Sequence, residues 1–399
     1  MPGKRARPVP RGRRRGNAPP LPDWRIWYYL AEAAGLEAWL VNARDVKHLP
    51  GRGKSDKADC VWLCKLNERG MLRRSFVPPQ PVRDLRALTR TRARLAQDQA
   101  RHQARVEKIL EDALLKISVV ISDLFGASGR RFLDALVAGE RSPAALAALG
   151  DKRLKATRAE LAEALTGRFR DIHAFEISVH LRLIDAVCAE ITALDEQIGQ
   201  HLALVPRTAP ACAACGLAGG GHTPGCADED VPVLDLATRL EEITGVGAVN
   251  GRAIIAELGT GPSQFPTPGH AAGWARLTPR TQQSGETAKP GRTGKGNRYL
   301  RGALGQAAMT AARTDTRLGA MYRRIARKRG KQKAIVAVSR VICETAWMLI
   351  CDPSARYAEL GPDYCQPLSP VRQTRAKIRE IERLNPGKKV ILADVGAAA

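Results

Sequence analysis

Four residues with metal-binding side chains lie close together in the sequence. Three thiols and one imidazole occupy the pattern Cys212-x2-Cys215-x6-His222-x3-Cys226. Thiolates and imidazole at such spacing can fold a short loop around tetrahedral Zn²⁺, which would order a segment that has no core of its own. The pattern resembles a zinc knuckle with a longer inner spacing. Unliganded thiols in a linker are the alternative interpretation.

A second segment places a serine among cations. Ser284 precedes Gly285 in a Gly/Pro-rich stretch, residues 259–296, that also contains Arg280 and Lys295. A serine hydroxyl in such a loop could attack a phosphodiester, because nearby cations stabilise both the alkoxide and the pentavalent transition state. A Ser-Gly pair in a loop is more often structural, so composition alone leaves both interpretations open.

Two glycines predict a tight turn between two helices. Gly245 and Gly247 lie just before a predicted helix from Val249 to Leu258. Backbone N–H groups of such a helix-hairpin-helix can point at a DNA phosphate, which binds DNA without reading its sequence. A plain Gly-rich turn between packed helices is the alternative. The residues that we expect to contact DNA are Gly245, Gly247, Arg280, Lys295, Asn297, Arg298 and Arg301.

The elements that must position these residues are mainly helical. Apolar residues at three- and four-residue steps predict long helices at 81–124 and 151–204. Their apolar faces are narrow and have charged flanks, which favours an antiparallel coiled-coil arm over a globular core. The predicted seam comprises Leu85, Leu88, Leu95, Val106, Leu110, Ile117 and Ile121 in the first helix and Phe169, Ile172, Val179, Leu183, Val187, Leu194 and Ile198 in the second.

A smaller α/β part precedes these helices. A helix from Asp23 is expected to stop at Gly35, a short apolar run at 38–42 predicts a buried strand, and a helix over 56–69 should end at Gly70. The sequence therefore predicts a mainly α chain with a small α/β part. The expected regions are a disordered basic leader (1–22), a partial α/β domain (23–80), a helical arm (81–205), a Cys/His linker (206–232), a helical C-terminal domain (233–350) and a tail (351–399).

The overall charge favours a polyanionic partner. The 399 residues include 64 Lys and Arg against 40 Asp and Glu, a formal net charge of +24. Such an excess repels itself unless a polyanion neutralises it, and nucleic acid is the leading candidate. No apolar run approaches the roughly 18 to 20 residues that a spanning helix needs, so we expect no membrane association and a soluble, cytoplasmic protein. Nine Cys scattered over a long chain do not resemble a secreted disulfide framework.

Several separated motifs resemble one protein family. The motifs Gly245-Val246-Gly247, Ala256-Glu257-Leu258-Gly259, Leu277-Thr278-Pro279-Arg280, Ser284-Gly285 and the run from Lys295 to Arg301 are similar to the C-terminal transposase domain of insertion-sequence family one hundred and ten. Val41-Asn42-Ala43-Arg44 and the run from Lys54 to Asp59 resemble the end of that family's RuvC-like domain, of the RNase H superfamily.

The resemblance implies specific roles. Members carry four acids in the order Asp, Glu, Asp, Asp in the RuvC-like domain and a serine nucleophile in the C-terminal domain. The last two acids fall on Asp56 and Asp59, and the serine falls on Ser284. The two acids lie three apart, so at a helix start they share one face and could ligate one Mg²⁺. The resemblance also implies DNA and a guide RNA as partners and a homo-oligomer in which the acids and the serine cooperate across subunits.

The sequence departs from the family at its N-terminus. The positions expected for the Glu are Asn17 or Ala18, and no strand precedes Trp24 that could supply the first Asp. With two of four ligands absent, a divalent site would be short of charge and coordination. We expect either an inactive, N-terminally truncated copy or a misassigned start. The rival functions are a non-catalytic DNA- or RNA-binding protein that dimerises through its coiled coil, and a helical scaffold.

Overall fold

The computed structural model describes residues 24–42, 46, 56–72, 74–151, 153–204, 236–261, 265–284, 287–352, 354–365 and 370–391. The chain divides into two compact units, Met1–Pro78 and Pro79–Ala399. The described part is mainly helical, as the sequence predicts, with one two-stranded sheet.

The described part of the first unit includes two helices, α1 (Trp24–Ala33) and α2 (Asp56–Glu68). Each ends where the sequence predicts, because Gly35 and Gly70 adopt left-handed φ angles of 69° and 62° that close the last turn. None of the residues of α1 is buried, and its apolar side chains are exposed, among them Trp24, Ile26, Trp27 and Leu30.

The strand predicted at 38–42 is wrong. Its backbone makes one isolated antiparallel bridge, between Val41 and Arg74, and the Ser75 N–H donates to the Leu40 carbonyl at 2.6 Å. An apolar run becomes a strand only where a neighbour pairs along its length, and the described part of the first unit offers one pairing residue.

Two long antiparallel helices, α3 (Gln80–Asp112) and α8 (Asp171–Leu204), begin the second unit. Their direction follows from the pairs Arg92–Asp195, Gln99–Cys188 and His102–His180, whose positions rise along one helix and fall along the other. Both are shorter than predicted. α3 ends because Leu114 takes a φ of 62° and the Leu115 N–H donates back to Leu110 at 2.8 Å.

The far ends of α3 and α8 form a globular core with four short helices, which contradicts the prediction of a narrow seam. These are α4 (Ile117–Val120), α5 (Ala127–Val137), α6 (Pro143–Ala148) and α7 (Arg158–Ala164). Thr157 and Glu160 form a capping box that starts α7 within the region predicted as one helix. The core of this distal part comprises Val106, Leu110, Ala113, Leu115, Ile117, Ile121, Leu124, Phe132, Leu133, Leu136, Leu146, Ala147, Leu161, Leu165, Ile177, Leu181 and Ile184.

The seam register predicted for α8 is partly wrong. Ile172 and Leu183 are exposed, whereas Ile177, Leu181 and Ile184 are buried and Ile198 is buried as predicted. The buried set is spaced four, three and fourteen residues apart, which is as regular as the predicted set. The short distal helices determine which face of α8 is buried. The repeat of apolar residues along α8 does not by itself identify that face.

A second core, the proximal core, joins the near ends of α3 and α8 to the C-terminal helices. These are α9 (Leu236–Glu241), α10 (Ala248–Leu258), α11 (Pro268–Trp274), α12 (Arg298–Ala311), α13 (Arg317–Arg329) and α14 (Lys331–Cys351). A 3₁₀ turn (Pro362–Cys365) and α15 (Pro370–Leu384) follow.

Helix α14 corrects the statement that no run could span a bilayer. Among the described residues it is the one helix long and apolar enough to do so by length and composition. Val338, Ile342, Cys343, Ala346 and Leu349 of this helix are buried in the proximal core. A core helix passes the same test of length and composition, so the test is weak support for a membrane span.

Strands β1 (Pro279–Ser284) and β2 (Thr287–Thr293) form an antiparallel hairpin where the sequence suggested a loop. The pairing runs from Pro279 opposite Thr293 to Ser284 opposite Thr287, with one irregularity between Pro279 and Thr281. The hairpin lies between α11 and α12, so both ends of it are attached to helices of the proximal core.

Candidate nucleic-acid site

Ser284 is the last residue of β1 and pairs with Thr287 of β2. The segment from Arg276 to Arg301 contains seven cations and a single acid, Glu286. A hairpin fixes a residue more firmly than a free loop does, because the ladder of backbone hydrogen bonds restrains both strands. Ser284 thus occupies a defined backbone position within a strongly basic segment.

The base of the hairpin is tied to the proximal core by tight backbone packing. A Cβ atom at Gly296 would lie 2.3 Å from the Ala275 carbonyl oxygen, so only glycine allows this approach. The Arg301 guanidinium donates to the Gly294 carbonyl at 2.7 Å. The Asn297 Oδ1 accepts from the N–H groups of Tyr299 and Leu300 and caps α12.

Next to this cap lies a buried carboxylate, Glu257 of α10, whose side chain is 1% exposed. Arg90 of α3 contacts both of its oxygens, at 2.7 and 2.8 Å, and the Asn297 Nδ2 donates to Oε2. Arg86 donates to the backbone carbonyls of Ala256 and Glu257 at 2.6 and 2.7 Å. The hydrogen bond with Glu257 raises the pKa of Arg90, while burial lowers the pKa of Arg86.

Two of the predicted DNA-binding residues make contacts within the protein. Asn297 and Arg301 are engaged within the protein, which favours a structural role for both. Lys295 and Arg298 are exposed and remain free to face a ligand, although Arg298 also stacks on the Tyr299 ring at 5.0 Å. The backbone of Arg280 belongs to β1, and its side chain lies outside the described residues.

The two glycines of the predicted hairpin differ. Gly245 has a φ of 90°, and a Cβ atom there would lie 2.3 Å from the Ala307 carbonyl oxygen of α12, so this glycine serves packing. Gly247 is the N-cap of α10 and has nothing within 4 Å of its Cβ position. Only Gly247 therefore leaves room for a phosphate to approach.

A cleft of about 350 Å³ lies beside the start of α10. Its walls come from α3, α8, α10 and α12, and they include Arg92, Asp195, Asn250, Arg252, Arg298 and Tyr299. Asp195 accepts two hydrogen bonds from Arg92, at 2.6 and 2.9 Å, and lies 3.8 Å from Arg252. Arg298 and the first turn of α10 both line this cleft. The sequence predicts DNA contacts at both places but does not predict that they lie close together.

The predicted acids belong to the first unit, whereas Ser284 belongs to the second. Asp56 is the first residue of α2, and its side chain lies outside the described residues. Asp59 follows one turn later and is half-buried. Within the described ranges no group of three His, Cys, Asp or Glu could hold a metal ion. Cys212, Cys215, His222 and Cys226 fall in 205–235, outside the described residues, so the zinc site stays a prediction.

Sequence reasoning missed two features. One is the role of Glu257, which was quoted only as part of a motif. The other is a run of cations between α13 and α14, visible in the sequence as Arg323-Arg324 followed by Arg327-Lys328-Arg329 and Lys331. A scan of local charge along the chain would have found this run, because no acid interrupts it.

Comparison with known families agrees with the resemblance seen in the motifs. Residues 237–323, which include the basic hairpin, match the family described as 'Transposase IS116/IS110/IS902'. Residues 20–114 are matched by a second family, a DEDD transposase of the IS110 type. The two matches support an IS110-family insertion-sequence transposase, and a transposase family implies DNA binding. No curated protein matches the chain significantly.

Proposed function

We propose that the protein cleaves and exchanges DNA strands with Ser284 as the nucleophile, guided by an RNA that pairs with donor and target. The position of Ser284 carries the proposal. It ends a strand of the basic hairpin, inside the segment that the transposase family matches. In the reaction Ser284 Oγ forms a bond to phosphorus and loses its proton. The bond between phosphorus and the 3′-oxygen of the adjoining nucleotide breaks. That oxygen leaves with the electron pair and takes up a proton, so the products are a free 3′-hydroxyl and a serine joined to the 5′-phosphate.

Asp56 and Asp59 would hold a divalent ion, which the DEDD family points to and which we propose to be Mg²⁺. Two carboxylates one helical turn apart fit such an ion, because Mg²⁺ is often bound through one or two carboxylates, with waters and substrate phosphates completing the shell. When bound, the ion would neutralise charge that develops on the phosphoryl oxygens. The residues of the hairpin supply the nucleophile and the surrounding cations.

The test compares Ser284→Ala with Thr287→Ala, which removes the hydroxyl of the paired residue on the other strand. Wild-type protein with Mg²⁺, matched RNA and end-labelled DNA should give an adduct that survives SDS gel electrophoresis. Ser284→Ala should give none, Thr287→Ala should retain it, and both should bind DNA as wild type does, because one hydroxyl scarcely alters a basic surface.

Three results would contradict the proposal in different ways. An adduct that persists in Ser284→Ala would show that another residue is the nucleophile. An adduct that forms equally well without RNA would show that the reaction needs no guide RNA. Absence of any adduct from the wild type, with DNA binding intact, would favour a non-catalytic DNA-binding protein.

A further inference from the structure

A dense run of positive charge in the described part of the chain lies at the junction of α13 and α14. Residues 316–343 contain nine Lys and Arg and no Asp or Glu. Gly330, with a φ of 89°, ends α13 and starts α14, so the cations on both sides of it gather at one bend. We call residues Arg323 to Lys333 the basic elbow.

Most cations of the basic elbow have no partner in the described part of the chain. Arg323, at its start, donates to Asp315 at 3.0 Å and to the Thr314 carbonyl at 2.9 Å. Arg324 also has an interaction with another group. The remaining five cations are exposed, and their side chains make no hydrogen bond or ion pair with another described residue: Arg327, Lys328, Arg329, Lys331 and Lys333.

Helix electrostatics explain only part of this arrangement. Arg327, Lys328 and Arg329 lie in the last turn of α13, where positive charge interacts favourably with the helix dipole. Lys331 and Lys333 lie in the first turn of α14, where positive charge is unfavourable. A purely structural role therefore accounts for the first three cations and leaves the two lysines unexplained.

The side chains of the basic elbow are mainly guanidinium and ammonium groups, which favour phosphate as a ligand. Tyr322, the aromatic residue next to it, is half-buried against the proximal core, so it is a poor platform for stacking of an unpaired base. Gln332 is its only amide side chain. A surface of guanidinium and ammonium groups contacts the backbone of a duplex rather than base edges. The matched family segment ends at residue 323, so similarity assigns nothing to this surface.

We propose that the basic elbow binds the phosphate backbone of duplex DNA without reading its sequence. This inference rests on the proposed function in one respect, namely that a transposase must hold duplex DNA. The basic elbow would supply sequence-independent affinity, while Ser284 lies in a different element of the same unit.

The experiment measures how DNA affinity depends on salt. The variant Arg327→Gln, Lys328→Gln, Lys331→Gln removes three cations from the basic elbow. A matched control, Arg153→Gln, Lys155→Gln, Arg158→Gln, removes three exposed cations from the distal part. Fluorescence anisotropy with a labelled 30-base-pair duplex of arbitrary sequence gives the slope of log affinity against log salt. Each lost phosphate contact should reduce that slope by about 0.9, so we expect a reduction of roughly 2 to 3 in the elbow variant and none in the control.

Each other outcome is informative. Equal reductions in both variants would show that only net charge matters and would overturn the assignment of a surface, as would no reduction in the elbow variant. A matched RNA hairpin serves as a second probe, and loss of RNA affinity with DNA affinity unchanged would overturn the choice of DNA. If wild type binds DNA and forms the Ser284 adduct while the elbow variant keeps its slope, the inference fails and the proposed function stands. If wild type binds no DNA at all, both fail.

Discussion

Glu257 connects three segments that are distant in the sequence. Its carboxylate lies among Arg90 of α3, Asn297 at the start of α12 and its own helix α10. A charge buried to 1% exposure is stable only when it is paired and hydrogen-bonded, because desolvation otherwise favours the unfolded state. Asn297 in turn caps the helix that follows the serine hairpin. Glu257 therefore helps to position the base of that hairpin without contacting Ser284 in any described interaction.

Replacing Glu257 tests this role. Glu257→Gln keeps the shape but leaves Arg86 and Arg90 partly buried without a counter-charge, so we expect unfolding free energy to fall by about 3 to 5 kcal/mol. The matched control is Glu344→Gln, which breaks an exposed pair with Arg340 at 2.8 Å and should cost less than about 1 kcal/mol. Urea unfolding followed by circular dichroism measures both. Equal, small losses in the two variants would mean that the cluster does not stabilise the fold.

Single residues also show where sequence reasoning reaches its limit. Asn297 and Arg301 were predicted to bind DNA because they lie in a basic motif, yet their side chains make internal contacts. A side chain of either kind suits both roles. The internal partner is Glu257 for Asn297 and the Gly294 carbonyl for Arg301. These partners become visible only when the chain is folded.

At the scale of elements, the two glycines in the turn between α9 and α10 differ in their surroundings. Gly245 packs against α12, whereas nothing lies within 4 Å of the Cβ position of Gly247. Gly245→Ala would force a methyl group against the Ala307 carbonyl at a positive φ, so we expect a loss of about 1 to 3 kcal/mol. Gly247→Ala should change stability by less than about 0.5 kcal/mol, since its φ of −99° suits any residue. Thermal unfolding distinguishes them, and equal losses would contradict this division.

A role of Gly247 in DNA binding stays a prediction. Gly247→Val adds bulk at the open N-cap of α10, so it should weaken duplex affinity while the melting temperature stays close to that of Gly247→Ala. Unchanged affinity would leave the glycine as part of a plain turn, the alternative that the sequence left open.

The pairing of α3 with α8 should depend on pH. The Nδ1 atoms of His102 and His180 lie 3.2 Å apart, a contact that two protonated rings cannot make. Burial, His102 and Arg105 lower the pKa of His180 below its ordinary 6.5, against a smaller opposite effect of Glu176. The unfolded chain then binds the proton more readily, so stability from this contact is present above about pH 6.5 and is lost as pH falls.

The urea midpoint should therefore drop more between pH 7.5 and pH 5 in wild type than in His180→Gln. Each of the remaining His residues is common to both proteins, so the difference isolates this pair. A difference of zero, or a larger drop in the variant, would contradict the assignment.

The sequence predicted the helices better than their surroundings. Gly35 and Gly70 stopped helices where expected, since a glycine that takes a positive φ is a local signal. The end of α3 could not be predicted in the same way, because Leu114 adopts a left-handed φ that leucine rarely takes. The serine hairpin was also missed, because its strands, Pro279–Ser284 and Thr287–Thr293, contain no alternating apolar pattern.

At the scale of the whole molecule, the candidate chemistry is divided between two compact units. Asp56 and Asp59 belong to residues 1–78, and Ser284 belongs to residues 79–399. The two units are also matched by different families. One match covers residues 20–114 and so runs from the first unit through α3, and the other covers residues 237–323 of the second unit. A division of this kind allows one copy of the protein to supply the acids and another to supply the serine, which is the arrangement that we propose for the oligomer.

Mixing two inactive variants tests that arrangement. Asp59→Asn removes one proposed metal ligand and Ser284→Ala removes the nucleophile, so each protein alone should form no adduct. If sites form between copies, a mixed oligomer contains one complete site, and random exchange within a dimer should restore about a quarter of the wild-type adduct. The control mixes Asp59→Asn with the double variant Asp59→Asn, Ser284→Ala, which should stay inactive because no copy carries Asp59. A mixture of the two single variants that remains as inactive as either alone would show that each chain must supply both the acids and the serine to its own site.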